Sequence, residues 1–124
     1  DSPPSFNTAL HQRQSLRRTR LSSLIMGLKI NKTHPDCLHG SAEIPGSVLN
    51  AANISQYKSV SVYNATSGGR AETYAVSMPE GIVMTTGAMA SFAKLGEVVN
   101  IATFDISSEI LTPTICYTDG SCVI

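Results

Sequence analysis

The chain lacks several features on which common functions depend. It has no tryptophan, and aromatic residues make up only 6% of its 124 residues. No apolar run approaches the roughly 20 residues that a membrane-spanning helix needs, and no secretory apolar segment is present. These absences predict a globular protein without a membrane partner. A hydrophobic fraction of 42% is enough for one packed core in a chain of this length.

The chain also lacks an excess of charge of either sign, because nine basic residues balance nine acidic ones. The balance is uneven along the chain, since four of the arginines lie within the first twenty residues. From Leu21 onward there are five basic and eight acidic residues, so the body of the chain is mildly acidic. A basic face for nucleic acid is therefore not predicted.

The three cysteines, Cys37, Cys116 and Cys122, form no CxxC motif and have no histidine at ligand spacing. Metal binding is therefore not predicted. An odd number of cysteines without a disulfide framework favours free thiols in a reducing compartment, which indicates a cytoplasmic protein. The sequence also has neither a GxSxG elbow nor a phosphate-binding glycine loop, so an ordinary serine hydrolase or nucleotide enzyme has little support.

Residues 1–22 are rich in serine, arginine and glutamine and predict a flexible tail, which leaves residues 23–124 as one domain. The domain alternates short apolar segments with turn residues, a pattern typical of a mainly β, closed barrel of six to seven strands. Two short helices are predicted at 48–52, capped by Ser47 and ended by Asn53, and at 87–93. The predicted strands are 24–30, 42–44, 59–63, 70–78, 82–86, 98–104 and 114–117.

Few residues could carry chemistry in such a barrel. Gly40-Ser41 precedes a strand, and such a pair is most often only a turn. Arg70 and Tyr74 alternate along one predicted strand and therefore share a face. A guanidinium there could grip a carboxylate through two parallel hydrogen bonds, and a phenol beside it could transfer a proton. Taken singly, Arg70 also fits an exposed strand position and Tyr74 a core aromatic.

Several ordered blocks of sequence extend this set. Gly40-Ser41 leads into "AEIPGSVLNAANI", and residues 64–75 read "NATSGGRAETYA". The chain continues with "GAMA" at 87–90, "GEVVNIATF" at 96–104 and "PTICYTDG" at 113–120. Over residues 34–120 these blocks resemble the pyruvoyl-dependent aspartate 1-decarboxylase family. The resemblance implies a double-psi β-barrel assembled as a homotetramer, with active sites between subunits.

The resemblance also implies a self-processing zymogen. Ser41 would attack the carbonyl of Gly40, the resulting ester would be split by β-elimination, and the new N-terminus would become a pyruvoyl group. Thr73 would stabilise the oxyanion. The pyruvoyl group, without metal or pyridoxal phosphate, would form a Schiff base with L-aspartate. The products would be carbon dioxide and β-alanine, a precursor in pantothenate biosynthesis.

For substrate binding and turnover, the resemblance implies roles for a further set of residues. Tyr74 would return the proton to the product, and Arg70 and Thr73 would bind the substrate. Lys29 is the candidate for a second cation at the substrate. The loop that follows Thr86 would also line the substrate site, through Gly87, Ala88 and Met89.

Departures from the family pattern keep two alternatives open. Thr86, Met89 and Asn100 replace an asparagine, an alanine and an isoleucine of the family, and the run that holds Lys29 is shorter. The same chemistry on a different amino acid is one alternative, and a non-catalytic barrel that acts as a binding module is the other. Three Asn-x-Ser/Thr triplets, at Asn31, Asn53 and Asn64, would fit a secreted glycoprotein, the weakest reading.

Overall fold

Strands dominate the part of the chain that the structure, a computed structural model, describes: residues 17–118 and 122–123. Nine strands join in one sheet in the order β2-β6-β3-β5-β4-β7-β1-β8-β9. Their bounds are β1 Arg18–Lys29, β2 Lys32–His34, β3 Ala42–Pro45, β4 Ser59–Asn64, β5 Arg70–Met78, β6 Met84–Thr86, β7 Val98–Ser107, β8 Thr114–Tyr117 and β9 Cys122–Val123. The same described residues hold two helices, α1 Gly46–Ala51 and α2 Ala88–Phe92, which are six and five residues long and too short to cross a bilayer.

The sheet mixes antiparallel and parallel pairs in a way that makes the connections cross. Strands β1 and β8, β2 and β6, and β3 and β5 pair in parallel, whereas β7 lies antiparallel between β1 and β4. Parallel neighbours cannot be joined by a tight hairpin, so intervening segments must cross over between them. The result is a barrel-like, mainly β fold, which confirms the predicted fold class.

The core lies on the inner face of this sheet and is built mainly from β-branched side chains. Ile25, Ile44, Val60, Val62 and Ile101 are each at most 2% exposed. Branched side chains suit the pleated surface of a strand, where their restricted rotamers cost little. Because side chains alternate across a strand, the intervening residues point to the outer face of the sheet.

The first strand begins earlier than the sequence predicted. Residues 18–22, assigned to the flexible tail, belong to β1 and pair with β7, Arg18 opposite Ser107 and Leu21 opposite Phe104. The polar composition misled the prediction, because Arg18 is exposed and Arg20 only half-buried, so this end of the strand lacks the apolar alternation of a core strand. The Arg20 side chain even donates a hydrogen bond to the carbonyl of Ser107 (3.3 Å). Residues 1–16 of the predicted tail lie outside the described residues.

The first helix is placed correctly, but its predicted cap is wrong. The helix begins at Gly46 after Pro45, and no side chain caps it, so Ser47 lies inside the first turn. Asn53 does adopt the predicted left-handed conformation, with φ 59°. The sequence did not predict the short strands β2 and β9, because three and two residues are too few for an alternating pattern.

Candidate active site

Gly40 and Ser41 lie where the loop after β2 enters β3. Gly40 has φ +68°, a left-handed conformation that residues with a Cβ rarely adopt. Ser41 follows as a buried residue, 1% exposed. A serine that merely closed a surface turn would not be expected to lose its contact with solvent, so the environment of the pair favours a role beyond the turn.

The Gly40 carbonyl is held by a hydroxyl from the neighbouring strand. The parallel pairing of β3 and β5 places Ala42 opposite Ala75, which brings Thr73 level with Gly40. The Thr73 hydroxyl donates a hydrogen bond to the Gly40 carbonyl oxygen. A donor fixed at that oxygen stabilises the negative charge that develops there when a nucleophile attacks the carbonyl carbon.

The Ser41 hydroxyl is surrounded by polar groups from β3 and β6. Thr86 Oγ1 lies 3.0 Å from Ser41 Oγ and accepts a hydrogen bond from the Ser41 backbone N–H (2.9 Å). Ser41 Oγ also donates to Glu43 Oε1 over 3.4 Å. Sequence reasoning noted Thr86 only as a departure and did not consider Glu43. The available signal was a carboxylate two residues after the serine, on the same face of a strand.

The loop after Thr86 packs against the Gly40-Ser41 pair. Gly87 has φ +54°, and its N–H donates to the carbonyl of His34 (3.1 Å). A methyl group on Gly87 would lie 2.5 Å from the carbonyl oxygen of Cys37 and 2.8 Å from the nitrogen of Gly40. Glycine is therefore required for the loop to approach this closely. The nitrogen of Ala88 lies 3.9 Å from the position of a Cβ on Gly40.

Met89, which was predicted to line the substrate site with Gly87 and Ala88, lies in the hydrophobic core. Its side chain is 5% exposed and packs in the hydrophobic core. Core packing accounts for an apolar residue here, since methionine fills irregular gaps well. Asn100, another departure from the family pattern, accepts a hydrogen bond from the N–H of Gly27 (2.9 Å) at an irregular point of β1.

The asparagine that opens the "NATSGGRAETYA" stretch shapes the hairpin before Arg70. Asn64 is 1% exposed, and its Oδ1 accepts hydrogen bonds from the N–H groups of Thr66 and Ser67 (both 3.0 Å). Its Nδ2 donates to the carbonyl of Phe92 (3.0 Å) and to Glu97 Oε1 (3.2 Å). The side chain therefore ties the hairpin to two other segments, and this buried amide is not an accessible glycan acceptor.

Glu97 makes this hairpin sensitive to acid. The backbone N–H of Lys94 and then the Asn64 amide stabilise the carboxylate, which lowers the pKa of Glu97 below its ordinary 4.5. A lowered pKa means that the contribution to stability is present above pH 4.5 and lost as pH falls through the folded-state value. When the pH is lowered from above 4.5 to below it, we expect the melting temperature of Glu97→Gln to fall less than the melting temperature of the parent chain. Equal acid slopes in calorimetry would contradict this.

Arg70 opens β5 on the outer face of the sheet. It is exposed, and its guanidinium carbon lies 5.3 Å from the centre of the Tyr63 ring, the residue paired with it on β4. An open groove of about 380 Å³ runs past it, lined also by Thr19, Ser59, Val60, Ser61, Glu72, Ala102 and Phe104. The cation is thus held over an aromatic face while its donors remain available to a ligand.

Tyr74 connects this outer face to the loop before Ser41. Its hydroxyl donates to the carbonyl of His39 over 3.2 Å, one residue before Gly40. The side chains of Thr73 and Tyr74 point to opposite faces of β5, so the strand holds two successive carbonyls of the loop, one from each face. The predicted common face of Arg70 and Tyr74 is consistent with the pairing of β5 and β4.

Lys29 is not drawn into this cluster. It is exposed at the end of β1, opposite Val98, and its side chain forms no hydrogen bond or ion pair within residues 17–118. Three strand spacings, about 14 Å along the sheet, separate β1 from the strand of Arg70. The contact between Lys29 and the substrate therefore stays a prediction, and within a single copy of the chain Lys29 does not lie beside Arg70.

Comparison with known proteins shows the family to which this sequence belongs. Residues 16–122 match the sequence profile of the family described as aspartate decarboxylase. The chain belongs to the aspartate decarboxylase family. It is also 29% identical over 115 residues to "Aspartate 1-decarboxylase" of Ruthia magnifica subsp. Calyptogena magnifica, a match that covers 88% of this chain and 96% of that protein.

Membership of the aspartate decarboxylase family makes this chain an enzyme of the carbon–carbon lyase class. It therefore weighs against the non-catalytic binding module. The structure divides the predicted site residues of this decarboxylase into two groups. Gly40, Ser41, Thr73 and the start of the Gly87 loop meet around one peptide bond, with Tyr74 beside them. Arg70 and Lys29 lie on the outer face of the sheet.

Proposed function

We propose that this chain is a self-processing, pyruvoyl-dependent decarboxylase that converts L-aspartate into β-alanine and carbon dioxide. One observation carries the proposal. A buried serine follows a left-handed glycine whose carbonyl oxygen already accepts a hydrogen bond from a threonine hydroxyl. Those are the nucleophile, the accessible carbonyl and the oxyanion donor that an intramolecular acyl shift needs.

Cleavage of the Gly40-Ser41 bond would proceed through groups of the chain itself. Ser41 Oγ forms a bond to the carbonyl carbon of Gly40, while Thr73 stabilises the oxygen. The carbon–nitrogen bond then breaks and leaves an ester. Removal of the Ser41 α-proton then breaks the bond between its Cβ and Oγ, and Gly40 leaves as a carboxylate. The dehydroalanine that remains becomes an imine, and water hydrolyses this imine with release of ammonia.

The residues around Ser41 fit the group that this sequence of steps would leave. Ala42 is fixed in β3 by its pairing with Ala75, so the N-terminal group of a cleaved chain would be held at the start of a strand. The pyruvoyl carbonyl supplies an electron sink for the carbanion that decarboxylation generates. Tyr74, whose hydroxyl donates to the adjacent carbonyl of His39, would return a proton to the product.

The test of processing is the mass of the chain under denaturing conditions. The proposal predicts two fragments, residues 1–40 and residues 41–124, the second with a pyruvoyl group in place of its N-terminal serine. A chain that remains whole after prolonged warming would refute it. Release of carbon dioxide and β-alanine from L-aspartate by the cleaved protein is the second measurement.

Arg70 is the proposed clamp for a substrate carboxylate. Its guanidinium is exposed in the groove beside β5 and offers a planar pair of donors. Arg70→Lys keeps the charge but loses the two-pronged geometry. Loss of one charge-assisted hydrogen bond costs about 1.5–3 kcal/mol, which lowers kcat/KM by roughly tenfold to a hundredfold. Steady-state kinetics of the fully cleaved variant measure the loss.

Self-cleavage provides the internal comparison for this variant, since no substrate takes part in it. Arg70→Lys should therefore cleave at the rate of the parent chain. Arg20→Lys is a matched control, because Arg20 is also a strand arginine but does not line the groove. Parental kcat/KM in Arg70→Lys would remove Arg70 from the substrate site.

The proposal also includes a homotetramer with active sites between its subunits. The enzyme would act in the cytoplasm and supply β-alanine to pantothenate biosynthesis. The positions of the two candidate cations support the shared site. Arg70 and Lys29 face outward on strands about 14 Å apart, so cations from different copies are better placed to meet one aspartate. Light scattering of the cleaved protein would give the assembly state.

A neutral amino acid is the second candidate substrate, and the groove itself supports it. Arg70 is the one cation among the groove-lining residues that the structure describes, and Glu72 lies beside it. If Lys29 does not reach the site, the second carboxylate of aspartate would be buried without a partner, which is strongly disfavoured. Carbon dioxide release from a panel of amino acids separates the candidates. A sharp fall in aspartate turnover in Lys29→Ala would favour aspartate, and turnover of neutral amino acids alone would favour the alternative.

A further inference from the structure

One buried side chain contacts both atoms of Ser41 that exchange a proton during self-cleavage. Thr86 Oγ1 accepts a hydrogen bond from the Ser41 N–H (2.9 Å) and lies 3.0 Å from Ser41 Oγ. Both residues are 1% exposed. The antiparallel pairing of β3 with β6 holds them in place, and the Thr86 N–H donates to the Ser41 carbonyl (3.1 Å).

The acyl shift requires a proton to move between those two atoms. Ser41 Oγ loses its proton as it bonds to the carbonyl carbon of Gly40. The Ser41 nitrogen must gain one before it can leave as an amine. Both atoms are buried, so a group that touches each of them is better placed than solvent to carry the proton.

We propose that the Thr86 hydroxyl is the catalytic proton shuttle of the acyl shift at Gly40-Ser41. The inference rests on the self-processing proposed above. Ser41 Oγ passes its proton to Thr86 Oγ1, and Thr86 passes its own hydroxyl proton to the Ser41 nitrogen, which becomes pyramidal in the tetrahedral intermediate. Thr86 ends with the proton it received, so the step consumes no other reagent.

Glu43 is the other polar side chain at the serine, and its geometry fits this role less well. Its Oε1 lies 3.4 Å from Ser41 Oγ, at the long end of a hydrogen bond, and makes no hydrogen bond to the Ser41 nitrogen. It can orient the Ser41 hydroxyl but does not connect the two atoms. Glu43→Gln should therefore slow cleavage less than loss of the Thr86 hydroxyl.

The test follows cleavage of the freshly made full-length chain over time by intact mass. Thr86→Val removes the hydroxyl and should slow cleavage by roughly a hundredfold or more, the usual worth of a positioned acid–base group. Thr86→Ser keeps the hydroxyl and should stay within about tenfold of the parent. Thr85→Val is the matched control, because Thr85 is equally buried on β6 but donates to the carbonyl of Ala93 (2.8 Å).

Hydroxylamine reports which step is slowed, because it cuts an ester but not an amide. If Thr86 serves the acyl shift, Thr86→Val should lose the hydroxylamine-sensitive fraction of uncleaved chain as well as the final fragments. Accumulation of hydroxylamine-sensitive chain would assign Thr86 to the elimination and overturn the proposal. Parental cleavage in Thr86→Val, or equal slowing in Thr85→Val, would overturn it too. A parent chain that never cleaves would instead refute the proposed function.

Discussion

Ser41→Ala is expected to leave a single uncleaved chain with no decarboxylase activity. In the proposed mechanism, the substitution removes the oxygen that attacks the Gly40 carbonyl and also the source of the N-terminal group. The barrel should still fold, because alanine fits the buried position and the Ser41 backbone N–H keeps its bond to Thr86. Intact mass after prolonged warming, together with carbon dioxide release from L-aspartate, measures both losses.

Ser23→Ala is the matched control for that variant. Ser23 is also a buried serine, 3% exposed, and its hydroxyl donates to the carbonyl of Ala52 (2.5 Å) and not to the cleavage pair. It should lose some stability and still cleave fully. If Ser41→Ala were cleaved between residues 40 and 41, the serine would not be the nucleophile and the proposed mechanism would fail at its first step.

The sequence predicted the strands of this fold well wherever apolar and polar residues alternate over several positions. The bounds of β5 and β8 agree with the prediction, since the residues that open each strand follow clear turn signals. The prediction missed strand residues 18–23, where arginines interrupt the apolar pattern. It also missed β2, whose three residues are specified by pairing with β6 and not by composition.

Candidate site residues could be predicted from the sequence where they belong to short motifs of the family. Gly40-Ser41 and Thr73 lie together because β3 and β5 pair in parallel at that point, and the roles that the resemblance implies for them stay predictions. Thr86 and Glu43 could not be ranked from the sequence, because their importance depends on distances to Ser41 that only the fold sets. The core position of Met89 has the same origin, since spacing alone does not show which side of a loop packs inward.

Thr73 is expected to control the rate of processing without being consumed by it. Thr73→Val preserves the shape of the side chain and removes the hydroxyl that donates to the Gly40 carbonyl oxygen. In the proposed acyl shift that oxygen carries the negative charge of the tetrahedral intermediate, and loss of one such donor typically slows a reaction by about 10²–10³-fold. Time courses of the two fragments by intact mass should show this slowing, with cleavage still reaching completion.

Thr85→Val distinguishes lost oxyanion stabilisation from a general cost of removing a buried threonine hydroxyl. Thr85 donates a comparable hydrogen bond to a backbone carbonyl, that of Ala93, but not at the scissile bond. Both variants should lose stability by a similar amount, about 1–3 kcal/mol if the carbonyl is left without a partner. Only Thr73→Val should cleave slowly. If Thr73→Val were cleaved as fast as Thr85→Val, another donor would have to stabilise the Gly40 oxygen.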